Sequence, residues 1–169
     1  MSRHPFPNRR PLDPRSCNVA IDANALNRDG SAHDARVARL LDLHAAGIIR
    51  LMLPKGVREE IQNPRTPAHI RAVAAPMIFS YSVGLNSGEQ REHRLIEQEL
   101  QGNAEPGKHA ADADHLFEAA KYGGYFITHD RRILGRSSNM RNLLPPSLNV
   151  VTLASFLEIF DDYGAGRRI

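Results

Sequence analysis

Cysteine is nearly missing from this chain. Cys17 is the only one among 169 residues, there is no tryptophan, and aromatic residues make up 6%. A single cysteine excludes an intrachain disulfide and a cysteine-built zinc cluster, and it suits a reducing, cytoplasmic setting. No apolar run approaches the ~20 residues that a membrane-spanning helix needs, so no membrane partner is expected. The first residues also lack the apolar core of a secretory signal. No glycine-rich phosphate loop is present, and no Ser-His-Asp or Cys-His arrangement suggests itself, which removes the common routes to nucleotide binding and nucleophilic catalysis. Internal repeats and an internal linker are absent too. With 41% hydrophobic residues, the chain is long enough to bury one sizeable core.

The net charge is +3 and the sequence pI is near 9.3. That excess permits an anionic partner without demanding one. Much of it sits at the ends, in Arg3, Arg9, Arg10, Arg15, Arg167 and Arg168. Residues 1–16 carry four prolines and four arginines and read as a flexible Pro/Arg-rich N-terminal extension. Residues 17–164 read as one folded domain.

Within it, short apolar runs predict strands at Cys17–Ile21, Ile48–Leu53, Met77–Val83, Tyr125–Thr128 and Leu148–Leu153. Helical patterns fall between them. Ser31 caps a helix over 32–47, and a short one holds Val57–Ile61. Thr66 caps another, with Pro67 at its first position and Pro76 at its end. Ser87 and Gln90 match a capping box for 88–101. Ala154–Tyr163 is a last amphipathic helix. Alternating strands and helices predict an α/β fold, with a parallel sheet covered on both faces.

The most informative stretch is Lys108–Asp130. Ala113, Leu116, Phe117 and Ala120 lie at helical spacing, Gly123-Gly124 stop the helix, and a short buried strand then ends on Asp130. Strand carboxyl ends and the starts of crossover helices face the ligand crevice of parallel sheets. Asp112 and Asp130 are therefore expected as neighbours, with Asp22 at the end of the first strand. Glu60 follows on a polar helix beside Glu59. Hard cations take such oxygen ligands and can activate water against a phosphodiester. Each acid also has an ordinary reading: Asp22 as a turn residue, Glu60 as a solvated charge, Asp112 at a helix-dipole end, Asp130 as cap of the short helix Arg131–Leu134. Asp114 lies ~200° from Asp112 around the helix, on the opposite side of the apolar stripe. His115 reads as a buried or hydrogen-bonded helix residue rather than a ligand. Arg131, Arg132, Arg136 and Arg141 follow the acid edge, where they would either hold substrate phosphates or form an exposed cationic surface.

Four spaced motifs resemble the PIN domain family: Ile21-Asp22-Ala23-Asn24, Val57-Arg-Glu-Glu60-Ile61, Asp112-Ala113-Asp114-His115-Leu116 and Phe126-Ile-Thr128-His-Asp130. They span about residues 18–135. The Asp-Ala-x-His-Leu helix followed by Thr-x-Asp is the most specific part. The resemblance implies a single-domain, parallel-sheet α/β/α sandwich of PIN type. It implies a Mg²⁺- or Mn²⁺-dependent endoribonuclease, as in the toxins of VapC-type toxin–antitoxin pairs. RNA is then the substrate, and an antitoxin protein and a homodimer are the partners to expect. Residue by residue, Asp22, Glu60, Asp112 and Asp130 match the family's catalytic acids, with Asp22, Asp112 and Asp130 holding metal. Asn24 and Thr128 support them, and Arg131 and Arg132 are candidates for substrate phosphate. The leader and the 76–107 insertion depart from compact toxins.

Two rivals stand beside this reading. A phosphohydrolase of the HAD kind would want an acid at Asn24. A non-catalytic PIN-fold RNA-binding or scaffold protein would keep the fold without cleavage.

Overall fold

The computed structural model describes residues 11–28, 30–75, 77–79 and 84–166. Five strands form one sheet: β1 (Asn18–Ile21), β2 (Arg50–Leu53), β3 (Ile78–Phe79), β4 (Tyr125–Ile127) and β5 (Asn149–Val151). Their order is β3-β2-β1-β4-β5, and every pairing is parallel. The helices are α1 (Ala32–Ala45), α2 (Lys55–Gln62), α3 (Ala68–Ala74), α4 (Ser87–Gln101), α5 (Ala110–Tyr122), α6 (Arg131–Arg136) and α7 (Leu153–Gly164). Single 3₁₀ turns occupy Ala23–Leu26 and Asn139–Asn142.

Strand side chains alternate between two cores, as a period of two requires. Val19, Ile21, Leu51, Leu53, Tyr125, Ile127 and Val151 pack with residues of α1, α2, α3 and α7. Ala20, Met52, Phe126 and Val150 face the other way, onto α4, α5 and α6. Both sheet faces are thus covered, which is the expected α/β arrangement. The chain winds outward from β1 to β3, then crosses back to lay β4 against the free side of β1. The strand order reverses between β1 and β4, and in open parallel sheets ligands bind outside that point.

Several local expectations shift, each for a visible reason. The second strand starts at Arg50 rather than Ile48, because Gly47 turns at φ 70° and the N–H groups of Ile48 and Ile49 both close onto the Leu43 carbonyl. Thr66 does not cap α3. Its hydroxyl donates to the Glu60 carbonyl at 2.6 Å, and Pro67 takes the cap position. The capping box of α4 is set one residue earlier than Ser87/Gln90. Asn86 Oδ1 accepts from Glu89 N, and Glu89 Oε2 accepts from Asn86 N, both at 2.9 Å. Asn is at least as good a cap as Ser, and Glu89 also pairs with Lys121 of α5 at 2.5 Å.

Residues 11–16 of the Pro/Arg-rich leader are tied down. The hydroxyls of Tyr163 and Tyr125 donate to the carbonyls of Pro11 and Leu12. The rest of the leader (1–10), the expected helix stop at Pro76, the strand extension over 80–83, and Arg167 and Arg168 lie outside the described residues.

The box identifies its own test. Asn86→Ala should cost about 1 kcal/mol in urea-monitored unfolding, whereas Ser87→Ala should change stability by less than about 0.5 kcal/mol.

Candidate metal centre

Asp22 takes the position where β1 ends. Its N–H still donates to the Ile127 carbonyl of β4 at 2.9 Å, and its own carbonyl accepts Ala25 N at 3.1 Å to start the 3₁₀ turn. The residue is 6% exposed. A buried carboxylate needs donors, and the nearest is Thr128, fully buried at the end of β4, whose Oγ1 donates to Asp22 Oδ2 at 2.8 Å. Thr128 Oγ1 in turn accepts from Asp130 N at 3.0 Å. Asn24 Oδ1 accepts His129 N at 2.9 Å and lies 3.5 Å from Thr128 Oγ1. Asn24 and Thr128 therefore stitch the β1 and β4 ends together.

The other groups arrive on helices. Asp112 lies in the first turn of α5, where its Oδ2 meets Nδ1 of the N-cap residue His109 at 2.9 Å. His115, one turn further along α5, is 3% exposed. Its Nδ1 stands 3.9 Å from Asp22 Oδ1, and its Nε2 stands 3.8 Å from Glu60 Oε1 on α2. Asp22, Glu60 and His115 each offer one ligand-type atom within 4.8 Å of the others.

Of the two adjacent acids on α2, Glu60 is the one that faces this cluster. Glu59 pairs instead with Lys55 at 3.5 Å along the exposed side. Asp114 likewise points away from Asp112 and meets His93 of α4 at 2.5 Å, as its angular offset on the helix requires.

Asp130 is engaged as a helix cap: its Oδ1 accepts Arg132 N at 2.7 Å and Ile133 N at 2.9 Å. Its backbone belongs to the Thr128 network, but its carboxylate is not among the three converging ligand groups. Arg132, a candidate for substrate phosphate, has its Nη1 directed at the carbonyls of Leu100 and Gln101 at 2.9 and 3.5 Å. Arg136 is held by Glu99. Arg131 is exposed at the start of α6.

Burial pushes the Asp22 carboxyl above the ordinary carboxylate range. The Thr128 hydroxyl, His115 and the Ala23 N–H oppose that shift, while the charge of Asp112 adds to it. Glu60 is raised as well, first by burial and then by Asp22 and Asp112, with His115 opposing. Burial and repulsion from neighbouring carboxylates thus raise the proton affinity of Asp22 and Glu60 in one pocket. A hard divalent cation relieves that repulsion, and carboxylate oxygens are the ligands it selects. The donor set fits a cation such as Mg²⁺ or Mn²⁺.

Sequence reasoning passed over Gly56. His115 is buried, as expected of it, and its nitrogens face the acids. Gly56, in the first turn of α2, sits so close that a Cβ there would be 2.6 Å from His115 Nε2. Spacing carried a signal for both, since i,i+3 and i,i+4 residues share a helix face. His115 follows Asp112 by three, and Gly56 precedes Glu60 by four.

Comparison of the chain with protein-family models, with curated proteins and with solved structures gives no match.

The raised carboxyls fix the sign of a pH dependence. Without metal, the folded state holds protons on Asp22 and Glu60 that the unfolded chain releases near pH 4. Their contribution is complete below that value and is lost as pH rises through the raised folded values. Tm of the metal-free protein should therefore decline on that climb, and Asp22→Asn should flatten the decline. An unchanged profile in the variant contradicts the assignment of the shift to Asp22.

Proposed function

We propose that the chain is a metal-dependent endoribonuclease of PIN type that hydrolyses RNA phosphodiester bonds. The observation that carries this reading is the convergence of Asp22, Glu60 and His115 at the sheet's switch point, with the charge of Asp112 acting on both acids. The ordered motif resemblance supports it independently. Asp22 and Asp112 would hold Mg²⁺ or Mn²⁺ there, which would ease ionisation of a water at neutral pH and offset charge on the phosphoryl oxygens.

The chain's own residues do the rest. Thr128 fixes Asp22 through Oδ2, which leaves Oδ1 directed into the pocket. Glu60, half exposed and with its proton affinity raised, orients the attacking water and accepts its proton. Asp130 holds the start of α6, and a metal contact from it falls to Oδ2, since Oδ1 is occupied by two backbone N–H groups. A groove of about 380 Å³ leads away from Glu60 and Asn24 past Asn63, Arg65 and Thr66, over an apolar floor of Pro67 and Ile70. In this reading it carries the strand beside the scissile phosphate, with Arg65 as a phosphate donor in the role expected of Arg131 and Arg132. An antitoxin occupying the same groove belongs to the toxin form of the reading.

Cleavage of a mixed single-stranded and structured RNA pool, with a DNA pool alongside, tests this directly. Wild type should cut RNA with Mg²⁺ or Mn²⁺ and stop in EDTA. Asp112→Asn should lose at least about 100-fold in rate at unchanged Tm. Arg65→Ala should instead weaken RNA binding and lower the salt slope by about 1. Metal-dependent RNA binding without cleavage by folded wild type would favour the non-catalytic PIN-fold alternative.

A further inference from the structure

Among the described residues, His115 is the buried imidazole aimed into the acid pocket. Buried polar groups normally have hydrogen-bond partners. The contacts at 3.9 Å to Asp22 and 3.8 Å to Glu60 exceed the roughly 3.2 Å limit of an N–H···O bond. The separation between Nδ1 and Asp22 Oδ1 suits a shared ion. With metal–ligand bonds of about 2.1 Å, two atoms on one ion stand up to roughly 4.2 Å apart.

The two nitrogens are not equivalent. Nδ1 faces Asp22, the acid deepest in the pocket, and Asp112 lies three residues earlier on the same helix face. Nε2 faces Glu60. Ligating histidines direct their second ring N–H to a carboxylate; Glu60 Oε1 faces Nε2 at 3.8 Å and would close on it in the metal-bound form. Gly56 completes the slot, because any side chain there would enter the volume of the ring: a Cβ would also lie 2.7 Å from Cδ2. Nothing in the backbone of Gly56 demands glycine, since it lacks a positive φ and sits in a helix, where glycine costs about 1 kcal/mol relative to alanine. Its use at this position is the room it leaves for the imidazole.

We propose that His115 ligates the cation of this site through Nδ1, oriented by Glu60 at Nε2 and admitted by Gly56. The site is then a mixed nitrogen–oxygen centre that favours Mn²⁺ over Mg²⁺. The inference rests on the metal-dependent reading of the same pocket. It adds a ligand that an all-carboxylate site would lack, and it sets the metal preference: imidazole suits the later divalent metals, whereas Mg²⁺ keeps to oxygen. Glu60 then divides its oxygens, Oε1 toward the ring and the other toward water.

Pulsed EPR of Mn²⁺ bound to the full chain tests it without reference to activity. Wild type should show ¹⁴N coupling to the ion and bind Mn²⁺ at least about tenfold more tightly than Mg²⁺ in competition. His115→Gln should lose the coupling and the preference. Gly56→Ala keeps every ligand and should lose the coupling by displacing the ring, while circular dichroism shows it folded. Mn²⁺ that is bound, is released by Asp22→Asn, and shows no nitrogen coupling in wild type overturns the His115 assignment and leaves the hydrolase reading standing. Coupling that survives in His115→Gln assigns the nitrogen to another imidazole, such as the neighbouring His109, and overturns it too. Absence of any Mn²⁺ binding at millimolar concentration overturns both.

Discussion

The hydrogen bond from Thr128 to Asp22 joins the two strands that flank the switch point, and the acidic edge depends on it. A hydrogen bond to a charged group contributes roughly 1.5–3 kcal/mol. Removing a carboxylate from water costs several kcal/mol even after the protein relaxes. The donors at Asp22 therefore offset its burial only in part, and its proton affinity is raised despite them. A site under-compensated by protein donors is one that a cation stabilises, so the same imbalance that costs stability without metal drives its binding.

Helix α5 divides its faces so that this arrangement survives folding. Leu116, Ala113 and Ala119 pack onto the sheet with Phe126 and Val150. Asp112 and His115 flank that stripe on the side of β1 and α2, and Asp114 leaves on the other side toward α4. α2 answers with Gly56 and Glu60 on one face and Glu59 in solvent. The capping box at Asn86 and Glu89, with its link to Lys121, anchors α4 against α5 from outside. Each helix contributes polar groups to the pocket only where its apolar face already holds it against the sheet.

The parallel α/β arrangement was legible because buried strands and amphipathic helices carry different periods, and Gly123-Gly124 and the prolines punctuate them. The positions of Asp22, Asp112, Thr128 and Asn24 followed from strand ends and helix starts. Strand limits were less legible. Ile48 and Ile49 look like strand, but a glycine turn commits their N–H groups to α1. The roles of Arg132 and Asp130 could not be separated by sequence, since a guanidinium that binds carbonyls of α4 and one that binds phosphate are the same residue in the same place along the chain. His115 was legible as a buried helix residue, its aim at the acids emerges only once the partner strand's acid is in position, and Gly56 acquires meaning only from the ring it accommodates.

The central claim is that the acids and His115 at the switch point form one cation site. Anomalous difference density from a crystal of the wild-type chain grown with Mn²⁺ tests that claim most directly. The account predicts a peak bonded to Asp22 and His115 Nδ1, with Asp112 in reach and Glu60 on the far side of the ring. A crystal at saturating Mn²⁺ with no peak in this pocket, and Asp22 still held only by Thr128 and the Ala23 N–H, would contradict it.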